Sequence, residues 1–406
     1  MMAFDFRALI APSNSENFFA EYWERKPYHN SRSDACYYSP LLKNEDLETI
    51  ISSADLRYPA IQLARNGSYL PAEAYTKNVK HGGEVFNRVP DLSRIQAEYR
   101  AGSTVVLPAL QRIWPPLREL CTALEDEFSH AVHANAYLTP GNSSGFTPHY
   151  DTHDVFVLQI GGKKLWRVFE PPLTLPHWSQ AFTPAGYVLP RPFLELELHP
   201  GDLLYLPRGY VHAASTSDAH SAHLTIGITV FTWVELISEL VAQSKEITGF
   251  RAGLPPGFAA REDFKKTLKD GFVRCMDELR EKADCDRLVE GFLQKVRSGR
   301  VRAAETFQSD VRVIGLHTPL LVPEAGGYRI SAENGSAILE FEGKKLTLPN
   351  HVRAALDDMC RRKSFRPGEL CGPLDNNGKL SLARYLHEQR FLTIEAQKSR
   401  PGSPTV

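Results

Sequence analysis

The sequence predicts an α+β chain built around a closed antiparallel barrel or jelly roll, with helices before and after it. Three observations predict this. From about residue 133 to 232, short runs rich in β-branched and aromatic residues follow one another with no helical pattern between them. Turns separate these runs at Thr139-Pro140-Gly141, Gly161-Gly162, Glu170-Pro171-Pro172, His199-Pro200-Gly201 and Pro207-Arg208-Gly209. Beyond Thr232 the apolar spacing lengthens to the three and four residues of a helix face.

In chain order, helices are predicted at Ser15 to Glu24, Asn44 to Ser53 and Ala109 to Glu125, packing around a core sheet. Strands follow at Asp154 to Ile160, Lys164 to Phe169, Phe193 to Leu198, Leu203 to Leu206 and His223 to Phe231. Strands at that density favour closure into a barrel. Next comes a helix with Trp233, Leu236, Ile237, Leu240 and Val241 on one face. A second helical zone, Arg261 to Ser298, carries Phe264, Leu268, Phe272, Met276 and Leu279. The two stripes can pack within the chain or on a second copy of it, and periodicity favours neither.

The last segment reads as strands Tyr328 to Ser331 and Ser336 to Phe341, helices Leu348 to Arg362 and Ser381 to Gln389, and a strand at Phe391 to Ile394. That order resembles a winged helix. Its supposed recognition helix, SLARYLHEQ, carries only Arg384 and His387 as cations, so a structural or protein-interaction role is expected rather than DNA reading. The domain bounds are then 1–232, 233–304 and 305–396. The tail, 397–406, is too polar and too rich in Pro, Gly and Ser to hold one structure.

Composition narrows the class. A length of 406 residues exceeds what one hydrophobic core usually organises. No apolar run approaches the roughly 20 residues that span a bilayer, so no membrane association is expected. Lys plus Arg number 47 against 48 Asp plus Glu, a net charge of -1 that argues against a dedicated nucleic-acid binder. The six cysteines are scattered, without CxxC pairs, and read as free thiols. The opening MMAFDFRALIAPSNSENF has no basic region followed by a long apolar one, which predicts no signal peptide and a cytoplasmic chain.

The chemistry-bearing stretch is TPHYDTHDVFVLQIGGKKLW. His149 and Asp151 stand two positions apart at the mouth of a predicted strand, so their side chains share a face. A third ligand, His212, follows GDLLYLPRGYV, whose Gly and Pro turns bring strand ends together. Two imidazoles and one carboxylate on one side of an octahedral ion leave three positions open, the arrangement of non-haem iron(II) oxygenases. Zinc can take the same three ligands, so residue types alone leave the metal open. Lys164 shares the face of Trp166 and Val168, which directs a charged group inward, where it needs an anion. His153, Tyr150 and His223 are candidates for orienting the ligands by hydrogen bonds.

The segment NAYLTPGNSSGFTPHYDTHDVFVLQIGGKKLWRVFEPP, continued by GDLLYLPRGYVHAA and HLTIGI, resembles the JmjC/cupin segment of the ribosomal oxygenases. FFAEYWERKPYH resembles that family's opening helix, and the similarity covers nearly the whole chain in the same domain order. The resemblance implies a JmjC jelly-roll core, a helical dimerisation region and a C-terminal winged helix. It implies Fe(II), 2-oxoglutarate and O2, with His149, Asp151 and His212 as iron ligands and Lys164 as the 2-oxoglutarate-binding lysine. Asn135 and Thr225 match positions that help hold the cosubstrate, and Tyr137 faces the same pocket. The implied reaction is hydroxylation of an Arg or His side chain of a ribosomal protein by a homodimer.

Two stretches depart from the family pattern, the loop AASTSDAHSAHLT and the insert LTLPHWSQAFTPAGYVLPRPF. They leave room for another substrate, such as a ribosomally made peptide tailored in a biosynthetic pathway. An N-methyl-lysine demethylase would use the same iron site but needs a cage for methylammonium, and none is legible. A metal-binding cupin with no oxygenase activity would have no need of Lys164, and a non-enzymatic winged-helix adaptor would need none of these residues.

Overall fold

Alternating side chains let one strand face two environments, and the central strands here do so. The computed structural model describes residues 4–395 apart from 54, 55, 83, 260–263, 299–313, 324–326, 334, 342, 343 and 390. It divides into two compact units, the first running to Ser238 and the second from Glu239 on. The expected tail at 397–406 lies outside the described residues.

The first unit opens with helices Phe6–Ile10, Ser15–Glu21 and Asn44–Ser53 and with strands β1 (Tyr28–Asn30), β2 (Gln62–Arg65) and β3 (Ser68–Tyr69). A hairpin of β4 (Thr76–His81) and β5 (Glu84–Pro90) follows, then helix Leu92–Arg100, β6 (Thr104–Leu107) and helix Pro115–Phe128. The barrel proper comprises β7 (Ala131–Thr139), β8 (Asp154–Gly162), β9 (Lys164–Phe169) and β10 (Leu194–Leu198). It is completed by β11 (Leu203–Leu206), β12 (Val211–Ser215) and β13 (Ser221–Thr229).

Two antiparallel sheets result, one ordered β1-β11-β8-β13-β7-β6-β2-β3 and a smaller one ordered β10-β9-β12. One face of the large sheet, through Phe156, Leu158, Leu224, Ile226 and Ile228, packs on Phe6, Leu9, Phe18, Leu120 and Leu124 of the N-terminal helices. The alternate residues Val155, Val157, Leu204 and Leu206 pack on Trp166 and Val168 of the small sheet. Each fully buried side chain of this size stabilises by about 1.5–3 kcal/mol, which is why the α layer and the barrel form one unit.

Several expected bounds shift. The helix expected at Ala109 to Glu125 is a 3-10 turn, Leu110–Arg112, and then a helix starting at Pro115. Proline preorganises a first helical residue but cannot continue a helix already under way. The helix from Ser15 ends at Glu21, and Glu24 adopts a left-handed conformation. The final barrel strand begins at Ser221 rather than His223, and β7, β12 and the N-terminal strands are additions to the predicted set.

In the second unit the expected zone from Arg261 to Ser298 is two helices, Phe264–Lys282 and Cys285–Ser298, with 261–263 outside the described residues. Of its predicted stripe only Leu279 is buried, and Phe272 is 65% exposed. On the helix Trp233–Gln243, Trp233, Ile237 and Val241 are likewise exposed, whereas Leu236 and Leu240 of the same face are half-buried. Further on, strands Tyr328–Glu333, Ser336–Phe341 and Lys344–Pro349 form one small sheet, and Leu320–Leu321, Ser364–Phe365 and Thr393–Ile394 another. Helices Arg353–Met359 and Asn376–Glu388 pack there around Leu339, Phe341, Leu356, Leu386 and Phe391. The residues Leu348 and Pro349, expected as helix, end a strand instead. No helix among the described residues is long and apolar enough to cross a membrane.

Candidate metal centre

Asp154 and Arg208 tie together the feet of the two segments that carry the predicted ligands. Asp154 is fully buried at the start of β8, and Arg208 Nη1 donates to its Oδ2 at 2.8 Å. The same Nη1 meets Glu24 Oε1 at 2.5 Å, and Tyr205 Oη donates to Asp154 Oδ1 at 2.8 Å. Burial pushes the Asp154 carboxyl up against the pull of Arg208. Next to this network, Gly209, with a positive φ of 92°, turns the chain so that its N–H donates to Asp151 O at 3.1 Å. The chain then enters β12, where His212 pairs across the ladder with Val168. An isolated antiparallel bridge joins His149 to His212, with backbone N–H···O distances of 3.2 and 2.8 Å.

The nitrogen and oxygen donors of His149, Asp151 and His212 all lie within 4.8 Å of one another, the one such group among the described residues. His149 Nδ1 lies 2.7 Å from Thr147 O and His212 Nδ1 lies 3.1 Å from Tyr210 O. A carbonyl oxygen only accepts, so each ring carries its proton on Nδ1 and presents the Nε2 lone pair. Those Nε2 atoms stand 4.0 and 3.7 Å from the two Asp151 oxygens.

Burial and the neighbouring His149 push His212 down to about 4, against Asp151. Burial raises the Asp151 carboxyl, but His153, His212, His149 and His133 outweigh it and leave it below the ordinary carboxylate range. Two neutral imidazoles and a carboxylate are a donor set that suits a divalent transition metal.

The seven residues expected as metal ligands or cosubstrate contacts, Asn135, Tyr137, His149, Asp151, Lys164, His212 and Thr225, line one cavity of about 290 Å³ between the two sheets. Asn135 and Thr225 are direct cross-strand partners on β7 and β13. Asn135 Oδ1 accepts from Ala109 N at 3.0 Å, which fixes the carboxamide. Burial pushes the Tyr137 phenol up, against hydrogen bonds from Thr225 and Asn135. At the other end Lys164 is 5% exposed, and burial brings its ammonium down to about 7.

Tyr150, between the two first ligands, turns away from the cavity. Its ring meets Phe182, and its hydroxyl donates to Gln180 O at 2.9 Å, which anchors the 173–193 insert to this loop. His153 and His223 do line the cavity. The sequence reading missed His133, Thr104, Tyr69 and Thr139. A period-two reading of HANAYLT finds His133, Asn135, Tyr137 and Thr139 on one face, whereas Thr104 and Tyr69 arrive only through tertiary pairing of β6, β2 and β3.

Residues 111–236 match the JmjC domain family model. Ribosomal oxygenase 1 of Gallus gallus is 34% identical over 262 residues, covering 62% of this chain and 42% of that protein. Ribosomal oxygenase 2 of Bos taurus is 34% identical over 265 residues, covering 62% and 54%. The chain thus spans about half the length of the curated relatives it matches. A solved structure of Escherichia coli ycfD, 18% identical, has the same fold at a TM-score of 0.52, across 94% of this chain and 98% of that one. The matched JmjC segment contains β7 to β13 and the His149, Asp151 and His212 group, and over 62% of its length the chain is similar, at a third identity, to the JmjC ribosomal oxygenases.

Proposed function

We propose that the protein is an Fe(II)- and 2-oxoglutarate-dependent oxygenase that hydroxylates an Arg or His side chain of a ribosomal protein. The observation that carries this reading is the pairing, in one cavity, of an imidazole-imidazole-carboxylate group with a buried lysine that has no anionic partner among the described residues. Iron(II) with 2-oxoglutarate and oxygen supplies the oxidising power that inserts an oxygen atom into a C–H bond.

The protein's residues do the rest. His149, Asp151 and His212 hold the metal on one side, and the carbonyls of Thr147 and Tyr210 fix the imidazole tautomers. Lys164 pairs with the far carboxylate of the cosubstrate, while Asn135, Tyr137 and Thr225 shape the space between. Val155, Val157, Trp166 and Leu206 wall the cavity and keep water away. The relatives are named ribosomal oxygenases, which supports a ribosomal protein as substrate here.

The same proposal reads 233–304 as a dimerisation region, supported by the exposed Trp233, Ile237 and Val241, and 305–396 as a winged helix. Arg384 and His387 hydrogen-bond to the carbonyls of Ile314 and Leu392, which supports a structural rather than a DNA-reading role. The test is succinate formation from 2-oxoglutarate with iron(II), ascorbate and a panel of ribosomal-protein fragments, with a one-oxygen mass gain on one fragment. Succinate formation without any such mass gain moves the substrate to a tailored peptide, and no succinate under any condition removes the oxygenase reading.

A further inference from the structure

We propose that His223 is a cosubstrate-binding residue that donates an imidazole N–H to the far carboxylate of the dicarboxylate beside Lys164. This inference rests on the iron(II)/2-oxoglutarate reading of the cavity and adds a residue to it.

His223 lies on β13, with Tyr137 of β7 opposite it on one side and Gln159 of β8 on the other. It is 3% exposed and lines the cavity. Its ring stacks on Tyr137, with centroids 4.9 Å apart and planes at 7°, and Trp166 meets it edge-on at 5.6 Å and 88°. Two aromatic rings therefore hold the imidazole in place, where a merely space-filling side chain would need no polar atoms.

Among the described residues its Nδ1 has no hydrogen-bond partner. A buried polar atom left so is costly unless a ligand completes it. Nearby, Lys164 Nζ donates to Thr139 Oγ1 at 3.1 Å, and Thr104 Oγ1 donates to the same oxygen at 3.1 Å, while Trp166 Nε1 and Gln159 Oε1 are, like His223 Nδ1, without a partner among the described residues.

Charge identifies what is missing. Burial, and then the Lys164 charge, hold His223 well below its ordinary range, so the ring is neutral and carries one N–H and one lone pair. A second cation beside Lys164 is excluded, and a proton carried on Nδ1 calls for an acceptor. A carboxylate in contact with Lys164 is that acceptor: it neutralises the ammonium and takes the imidazole N–H in the same step. His223 would thereby tell a ligand with a carboxylate at its far end from one that has only the keto-acid end.

The experiment titrates the full-length, iron(II)-loaded protein, without oxygen, with 2-oxoglutarate and with pyruvate, which keeps the keto acid but lacks the far carboxylate. His223→Asn retains an N–H near the Nδ1 position, and His223→Leu has similar bulk with none. The expected result is that His223→Leu weakens 2-oxoglutarate binding by about tenfold or more, as loss of a hydrogen bond to a charged group does. Pyruvate binding changes less than about twofold, and His223→Asn recovers most of the loss. Iron affinity and melting temperature, read on the same samples, separate this from misfolding. Equal weakening of both ligands, or no weakening of 2-oxoglutarate, overturns the role of His223 alone. A wild-type protein that binds neither ligand overturns the cosubstrate reading and this inference with it.

Discussion

Lys164 Nζ hydrogen-bonds to Thr139 Oγ1 at 3.1 Å inside the barrel, an ammonium against a neutral hydroxyl. Removing a charge that its surroundings leave uncompensated stabilises a fold. Lys164→Met should therefore raise the stability of the ligand-free protein by about 1–3 kcal/mol in urea unfolding. The same variant should bind iron(II) as the wild type does and lose at least about tenfold in 2-oxoglutarate affinity, since a charged hydrogen bond is gone.

The same lysine sets a pH dependence. Burial lowers it from the ordinary 10.5 to about 7 in the fold. Between these values the unfolded chain holds a proton that the folded one has released, so stability of the empty protein rises with pH across that window. Cosubstrate binding runs the other way, because the anion pairs with the protonated form: affinity should be highest below about 7 and fall as pH rises above it. Calorimetric titrations of the metal-saturated protein at several pH values check this, and Lys164→Met should flatten the profile.

His212→Ala and Asp151→Asn should each abolish stoichiometric iron(II) binding, read by equilibrium dialysis, while leaving the melting temperature of the metal-free protein within a few degrees. Retained binding in either would remove that residue from the ligand set.

Arg208 is bound on one side by Asp154 and on the other by Glu24. Arg208→Met leaves the buried Asp154 without its cation and should cost about 3–5 kcal/mol. Adding Asp154→Leu should return much of that loss in the double variant, because no charge is then left buried alone.

Gly227 sits on β13 where a β-carbon would strike the rings of both His133 and His153, the pair that flanks Asp151. Gly227→Ala should cost about 1–3 kcal/mol through overpacking. It should also weaken iron(II) binding by about tenfold or more as the groups around the ligands shift. Gly253→Ala, which meets nothing nearby, is the control.

The barrel strands with strong alternation were legible in the sequence: Lys164, Trp166 and Val168 do point inward, and Leu203–Leu206 has the expected bounds. β7, despite its nine alternating residues, and the short strands were not. β1 has three residues and β3 two, too few for any periodicity, and they exist because β11 and β2 offer them free backbone edges. His149, Asp151, His212 and Lys164 could be found because they sit on motifs with local spacing, whereas Asn135, Tyr137 and Thr225 came through the family resemblance. Thr104 could not, because only the β6–β7 pairing brings it to Thr139. The role of Tyr150 also escaped the sequence, because its direction depends on an insert with no regular pattern.

The cluster of Glu24 with the buried Arg208 and Asp154 has a practical consequence for where this protein can be cut. A fragment confined to the JmjC match, 111–236, would lack Glu24, β1 along β11 and β6 along β7. Phe156, Leu224 and Ile226 would lose Phe6 and Phe18 as cover, and two sheet edges would stand open to intermolecular pairing. The matched segment is therefore a set of chemical groups rather than an autonomous folding unit, and soluble expression should demand the residues before it as well.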